Sequence, residues 1–191
     1  MAQSNLLEVD WSKIPAPSDD GGAAHLAGMK IPSVSLRATD STAVDLSKLS
    51  GRTVVFGYPR TGEPGKIALV DDWDMIPGAR GCTPQTCSFR DLFTELKAAG
   101  AAQVFGLSTQ SNAYQTEMAE RLHLPFPVLS DEKLELTRAL NLPTMQVAGL
   151  TLIKRIALII DDSSITQVFY PVFPPDRNAG DVLAWLQENP A

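Results

Sequence analysis

Gly81-Cys82-Thr83-Pro84-Gln85-Thr86-Cys87-Ser88-Phe89-Arg90-Asp91 contains the only two cysteines of the chain. A small-residue turn, a cysteine, a proline two places on and then an amphipathic run predict a cysteine at a helix N-terminus. Unpaired backbone N–H groups and the positive end of the helix dipole favour a thiolate there. A free cysteine with a pKa of about 8.5 is only about 3% thiolate at pH 7, and lowering that value to about 6 makes it mostly thiolate. Cys87, five residues on, offers a partner for an oxidised Cys82. Two cysteines can also serve as buried small hydrophobes, and the residues alone leave that reading open.

Downstream of this segment, Phe89, Leu92, Phe93 and Leu96 recur at helical spacing, and Gly100 marks the stop, so one helix is expected over 83–99. Ala102 to Ser108 is an apolar strand and Ser111 to Leu122 a helix capped by Ser111 or Asn112. Phe126 to Leu129 reads as a short extended piece, demoted by its prolines to an edge or a loop. Ser130 or Asp131 caps a helix through Leu140. Ile153 to Ile160 and Ile165 to Tyr170 flank the turn Asp161-Asp162-Ser163-Ser164 as a hairpin, and a last helix spans Asn178 to Gln187.

Upstream, Thr53 to Tyr58 is a continuous apolar run ending at Pro59, the pattern of a buried central strand. Ile31 to Leu36 alternates as a strand, and Leu46 to Gly51 reads as a turn. Residues 1–30 form an extended arm with Trp11, Leu6 and Leu7 as candidate anchors. Thr61 to Gly81, rich in glycine and proline around Asp71-Asp72-Trp73-Asp74, is a long functional loop with room for a helical turn. The element order predicts an α/β domain over residues 31–191, a mixed central sheet flanked by helices.

The bulk numbers narrow the class. The chain has 191 residues, 44% hydrophobic and 20% charged, with a formal charge of −6. That suits one soluble domain and argues against nucleic acid or an anionic membrane as the main partner. No apolar stretch approaches the ~20 residues of a membrane span. Met1 to Pro15 shows no basic, apolar leader pattern, so a cytoplasmic location is expected, and two close cysteines there suit redox or catalytic chemistry.

From Val54 onward the chain resembles a peroxiredoxin, most closely the peroxiredoxin Q group, also called bacterioferritin comigratory protein. The resemblance is carried by Phe56-Gly57-Tyr58-Pro59, Gly81-Cys82-Thr83 with Cys87-Ser88-Phe89-Arg90-Asp91, Gly106-Leu107-Ser108-Thr109, Leu129-Ser130-Asp131 and Lys154-Arg155-Ile156. It implies a thioredoxin-like fold. It also implies thiol-dependent reduction of hydrogen peroxide or organic hydroperoxides with no cofactor or metal, and a thioredoxin- or glutaredoxin-type reductant acting on a monomer or homodimer. On the matching positions Cys82 is the peroxidatic cysteine, Cys87 the resolving cysteine of an intramolecular disulfide, Arg155 the arginine that stabilises the thiolate, and Pro59 the proline that shields the site. One departure stands out. The family's short Pro-x-x-x-Thr-x-x-Cys stretch is interrupted here by the insertion ending at Gly81, and Ala79 occupies the threonine position. Thr61, just after Pro59, is the candidate replacement hydroxyl, with Thr83 as its rival.

Helix geometry adds a constraint. Residues five apart in an α-helix are separated by about 8.6 Å at Cα, beyond the ~4.4–6.8 Å of a disulfide. Pairing of Cys82 with Cys87 therefore requires the first turn to unwind, and Thr83, Pro84 and Thr86, poor formers of helix interior, are expected to make that easy. Other chemistries fit less well. His25 and His123 are the only histidines, neither placed for a cysteine hydrolase or a zinc site. A dithiol–disulfide oxidoreductase and a non-catalytic redox sensor or binding module are the remaining alternatives.

Overall fold

Arg52–Gly57 is buried at every position, its apolar stretch Val54, Val55 and Phe56 covered on both faces. It is β3 of the computed structural model, which describes residues 9–190. The proposed anchors Leu6 and Leu7 lie outside the described residues. Before it come β1 (Ser35–Ala38) and β2 (Ala43–Asp45). After it come α1 (Cys82–Asp91), α2 (Phe93–Ala98), β4 (Gln103–Ser108), α3 (Asn112–Arg121), β5 (Val128–Ser130) and α4 (Glu135–Leu140). The chain continues through β6 (Thr144–Val147), β7 (Leu150–Ile153), β8 (Ile156–Asp161), β9 (Ser164–Phe169) and α5 (Asn178–Glu188).

Seven strands form one mixed sheet in the order β2-β1-β5-β4-β3-β8-β9, with β6 and β7 as a separate hairpin. β3 pairs parallel with β4 and antiparallel with β8. The period-2 alternation of β3 divides the core. Val54 and Phe56 join Phe89, Leu96, Met118 and Val182 on the face covered by α1, α2, α3 and α5. Val55 joins Leu26, Leu136 and Leu140 on the other face, under α4 and the segment leading into β1. Phe89 stacks on Phe56 with ring centroids 4.1 Å apart and planes 4° from parallel, fastening α1 to the central strand.

β2 and β6 were not expected, and β1 begins at Ser35 rather than Ile31; three further elements differ from the sequence expectation. β5 is an interior strand, held between β1 and β4. Its prolines precede the paired residues, so no ladder donor is missing, and Val128 N–H is taken by Thr39 Oγ1 at 3.0 Å. The expected helix over 83–99 is two helices, broken at Leu92, whose N–H closes onto Ser88 O. The expected strand 153–160 is the end of β7 and the whole of β8, separated by Lys154 and Arg155. Arg155 thereby sits on a bend at the sheet end where β3 stops and α1 begins.

Candidate active site

α1 starts at Cys82 because Gly81 can adopt φ +106°, a left-handed conformation, and because nothing larger fits: a Cβ there would lie 2.5 Å from Pro175 Cγ and 2.7 Å from Trp11 Cη2. No side chain caps this helix start, so its first N–H groups and dipole act on whatever occupies the turn. Cys82 is 3% exposed, and every residue from it to Cys87 is buried.

Two donors converge on the Cys82 sulfur. Arg60 N–H reaches it at 3.4 Å, and Arg155 Nη2 reaches it at 3.4 Å. Arg155 is 2% exposed. Its Nη2 is also held by the carbonyls of Gly78, Ala79 and Arg80 at 3.0–3.2 Å, and its Nη1 donates to Gln85 Oε1 at 2.6 Å. Among the described residues no carboxylate pairs with it. A buried guanidinium without an anion is unfavourable by several kcal/mol, and a thiolate at Cys82 is the anion its geometry provides for.

The sulfur opens onto a cavity of about 320 Å³ lined by Arg60, Thr61, Pro84 and Tyr114 together with much of the 61–81 loop, from Glu63 to Trp73 and Arg80. Thr61 shares this cavity with Cys82. Its hydroxyl donates to Gln110 Oε1 at 3.1 Å, its N–H to the same oxygen at 2.9 Å, and its carbonyl accepts from Tyr114 O–H at 3.1 Å. With its proton given to Gln110, the Thr61 oxygen retains lone pairs to accept a hydrogen bond. Ala79 is fully buried and turns its carbonyl to the site, accepting from Arg155 and the Cys82 thiol, while its N–H donates to Ile76 O at 3.0 Å. Pro59 is buried behind the site, accepts from Ser108 Oγ at 3.4 Å, and does not line the cavity. Its neighbour Arg60 brings the N–H to the sulfur.

Cys87 is 6% exposed, lies on α1 with Cys82, and does not line the cavity. Burial pushes its thiol pKa up, against a smaller opposing effect of the Arg90 charge. Tyr58, whose hydroxyl donates to Gln115 Oε1 at 2.9 Å, is held well above the usual range, first by burial and then by the nearby Cys82 charge.

The structure also shows what opposes unwinding. Gln85 is fully buried, accepts from Arg155 and donates through Nε2 to Asn178 Oδ1 at 2.8 Å. Weak helix propensity lowers the barrier by tenths of a kcal/mol per residue, whereas opening the turn breaks this buried network and exposes its apolar neighbours. The expectation of easy opening from Thr83, Pro84 and Thr86 accordingly omitted the dominant opposing term. Gln85, Arg60, Gln110 and Asn178 were not singled out from the sequence. Gln85 carried a usable signal, being three residues after Cys82 and so on the same helix face. The others are brought in by tertiary contacts alone.

Comparison with known proteins places this geometry in context. The family profile described as Redoxin matches residues 26–183. A protein named Peroxiredoxin Q, chloroplastic, from Oryza sativa subsp. japonica is 34% identical over 162 residues, covering 84% of this chain and 66% of that protein. Peroxiredoxin Bcp of Escherichia coli (strain K12) is 33% identical over 168 residues, covering 85% of this chain and 96% of that protein. The crystal structure of Peroxidoxin BcpB from Mycobacterium tuberculosis superposes with a TM-score of 0.69 at 26% identity, covering 86% of this chain and 98% of that one. The chain spans 66% of the length of the rice relative.

Proposed function

The chain belongs to the redoxin family, within its peroxiredoxin Q and Bcp group, and from that premise we propose that it is a thiol peroxidase acting through Cys82. The observation that carries the reading is the contact of Cys82 Sγ with Arg155 Nη2 at 3.4 Å, made by a buried guanidinium with no carboxylate partner among the described residues. Electrostatic attraction favours the thiolate, the nucleophile in attack on an O–O bond. The thiolate takes the nearer peroxide oxygen, the O–O bond breaks, and the departing alkoxide or hydroxide collects a proton from solvent. Arg155 and Arg60 N–H stabilise the charge that shifts from sulfur to the leaving oxygen. Thr61 accepts from the peroxide O–H, oriented for that by Gln110.

Cys82 is left as a sulfenic acid, S–OH. Attack by the Cys87 sulfur forms the S–S bond and releases water once the first turn of α1 opens. A dithiol reductant of the thioredoxin or glutaredoxin type then restores both thiols. Both cysteines lie on one helix, so the cycle needs one subunit only, whether the protein is a monomer or a homodimer. We place the reaction in the cytosol, where such reductants keep thiols reduced.

The test is steady-state turnover of hydrogen peroxide and of an alkyl hydroperoxide with a thioredoxin or a glutathione–glutaredoxin system. Turnover in wild type and none in Cys82→Ser is expected. Reduction of protein disulfides in the absence of any peroxide turnover would refute the proposal in favour of a dithiol oxidoreductase.

A further inference from the structure

The arm before residue 26 lies outside the stretch that the redoxin profile matches, yet its contacts fall on the segments that build the site. Trp11 Nε1–H donates to Asp176 Oδ2 at 2.9 Å, its ring meets Phe173 edge-on at a centroid distance of 6.1 Å, and the tip of the ring lies against Gly81. Pro17 covers Gly78, where a Cβ would lie 3.5 Å from the Pro17 Cβ. Asp20 accepts from Lys154 Nζ at 2.6 Å and from Tyr170 O–H at 2.7 Å. The carbonyls of Gly78 and Arg80 hold Arg155, and Gly81 is the residue before Cys82. The arm thus runs across the outside of the peptide segment that cradles the arginine and starts the helix.

We propose that this arm is a strap with two opposed effects on the reaction, and that Trp11 is its positioning residue. In the reduced protein it presses segment 78–81 onto Arg155 and so supports attack of Cys82 on peroxide. After oxidation it resists disulfide formation, because unwinding α1 displaces Gly81 from the pocket made by Trp11 and Pro175. The inference rests on the thiol-peroxidase reading. The two steps it separates are thiolate plus peroxide giving sulfenic acid and alkoxide, and sulfenic acid plus the Cys87 thiol giving disulfide and water. The stretch from Trp11 to Asp20 can yield without unfolding the sheet, since its attachments are a partly exposed ring and a few surface polar groups, with Asp20 42% exposed, while the chain behind it stays anchored by Ala23 in the core and by His25 Nε2 on Leu140 O. One hydrogen bond and one edge-to-face aromatic pair together change an equilibrium by roughly 5- to 30-fold, and the effect on each rate is bounded by that factor.

The test measures both steps by rapid mixing with hydrogen peroxide. Sulfenic acid formation is followed in a Cys87→Ser background, and disulfide formation by mass shift with both cysteines present. Trp11→Ala is expected to slow the first step and speed the second, each by up to roughly 30-fold. Asp176→Ala, which leaves the ring in place, should move both rates in those same directions by less, and Asp176→Asn, which keeps an acceptor, should restore them. Asp176→Ala decides the matter alone if Trp11→Ala does not fold. Rates unchanged, or both moved in the same direction, in a protein whose wild type turns over peroxide would overturn the strap and leave the function standing. A wild type in which Cys82 gains no oxygen from peroxide would overturn the function and the strap with it.

Discussion

Replacing Arg155 by methionine removes a guanidinium lying 3.4 Å from the Cys82 sulfur. At that separation and an effective dielectric near 20, a cation and a thiolate attract by about 5 kcal/mol, before the desolvation of either is counted. Desolvation offsets much of this, and deletion of a preorganised donor to a developing anion slows enzymes by about 10²- to 10³-fold. The second-order rate constant of Arg155→Met with peroxide should fall by that factor. The change also strands Gln85 Oε1 and the carbonyls of Gly78, Ala79 and Arg80. A stability loss of roughly 2–4 kcal/mol is expected to accompany it, since some of these acceptors gain water. Arg155→Lys separates the two consequences: it keeps a cation but lacks the planar fork that serves four acceptors at once. Its rate should lie about tenfold below wild type. The assay is rapid mixing with hydrogen peroxide in a Cys87→Ser background with the sulfenic acid trapped, alongside urea unfolding of each variant. If folded Arg155→Met reacts within about threefold of wild type, the guanidinium only holds segment 78–81 in place and the electrostatic argument is wrong.

Thr61→Val should lower the peroxide rate constant by about 5- to 150-fold by leaving the peroxide O–H without its acceptor. If it reacts like wild type while Thr83→Val is slow, the hydroxyl comes from the helix start. Gly81→Ala combines a strained φ with a contact at 2.5 Å and should cost more than about 2 kcal/mol in urea unfolding; an unchanged midpoint would disprove the close packing of Trp11 and Pro175. Cys87, its thiol pKa pushed up by burial, should be alkylated by iodoacetamide at neutral pH well after Cys82, and equal rates would contradict the assignment of roles. Asp161 is held below the usual carboxylate range, first by its hydrogen bond from Arg52 and further by Thr166. A depressed folded-state pKa means that this contribution to stability is complete above the unfolded value of about 3.9 and is lost as pH falls through the lowered value. Asp161→Asn should therefore flatten that part of the acid unfolding curve, and an unchanged curve would remove the pair from the explanation.

The sequence carried the site better than it carried the sheet. Cys82 and Arg155 were singled out because residue type and resemblance coincided, and Thr61 only because Ala79 takes the motif's threonine position; the structure brings Arg155 to the Cys82 sulfur and Thr61 to the same cavity, although what holds each one lies elsewhere in the chain. The hairpin of β6 and β7 was missed for a local reason. Its tight turn places Ala148 at φ 50° and Gly149 at φ 78°, and alanine gives none of the Asn-Gly or Asp-Gly signal by which such turns are read. The neighbouring turn at Asp162 and Ser163, also at positive φ, was legible because aspartate and serine announce it. Pro125 and Pro127 misled in the opposite sense. A proline is excluded from a central strand only where its N–H is needed, and residue counting cannot tell one position before the ladder from one inside it. Gln85 shows the same limit in the core, where a polar residue is buried because two partners distant in sequence satisfy both ends of its amide.

The stacking of Phe89 on Phe56 sets the extent of the conformational change. Both cysteines precede Phe89 on the helix, so everything that must move for a disulfide lies on one side of a side chain fixed to the central strand. In the proposed cycle the transition is then a fraying of the six residues from Cys82 to Cys87, with Gly81 drawn from its pocket, rather than a rearrangement of the domain. At 12–15 cal/mol/K per residue, fraying of that length corresponds to a heat capacity increment on the order of 80 cal/mol/K, against about 2.5 kcal/mol/K for melting the whole chain. Reduced and oxidised protein should consequently share nearly the same denaturant dependence and calorimetric curvature. In the proposed cycle the rest of the fold would then stay calorimetrically unchanged between the two redox states.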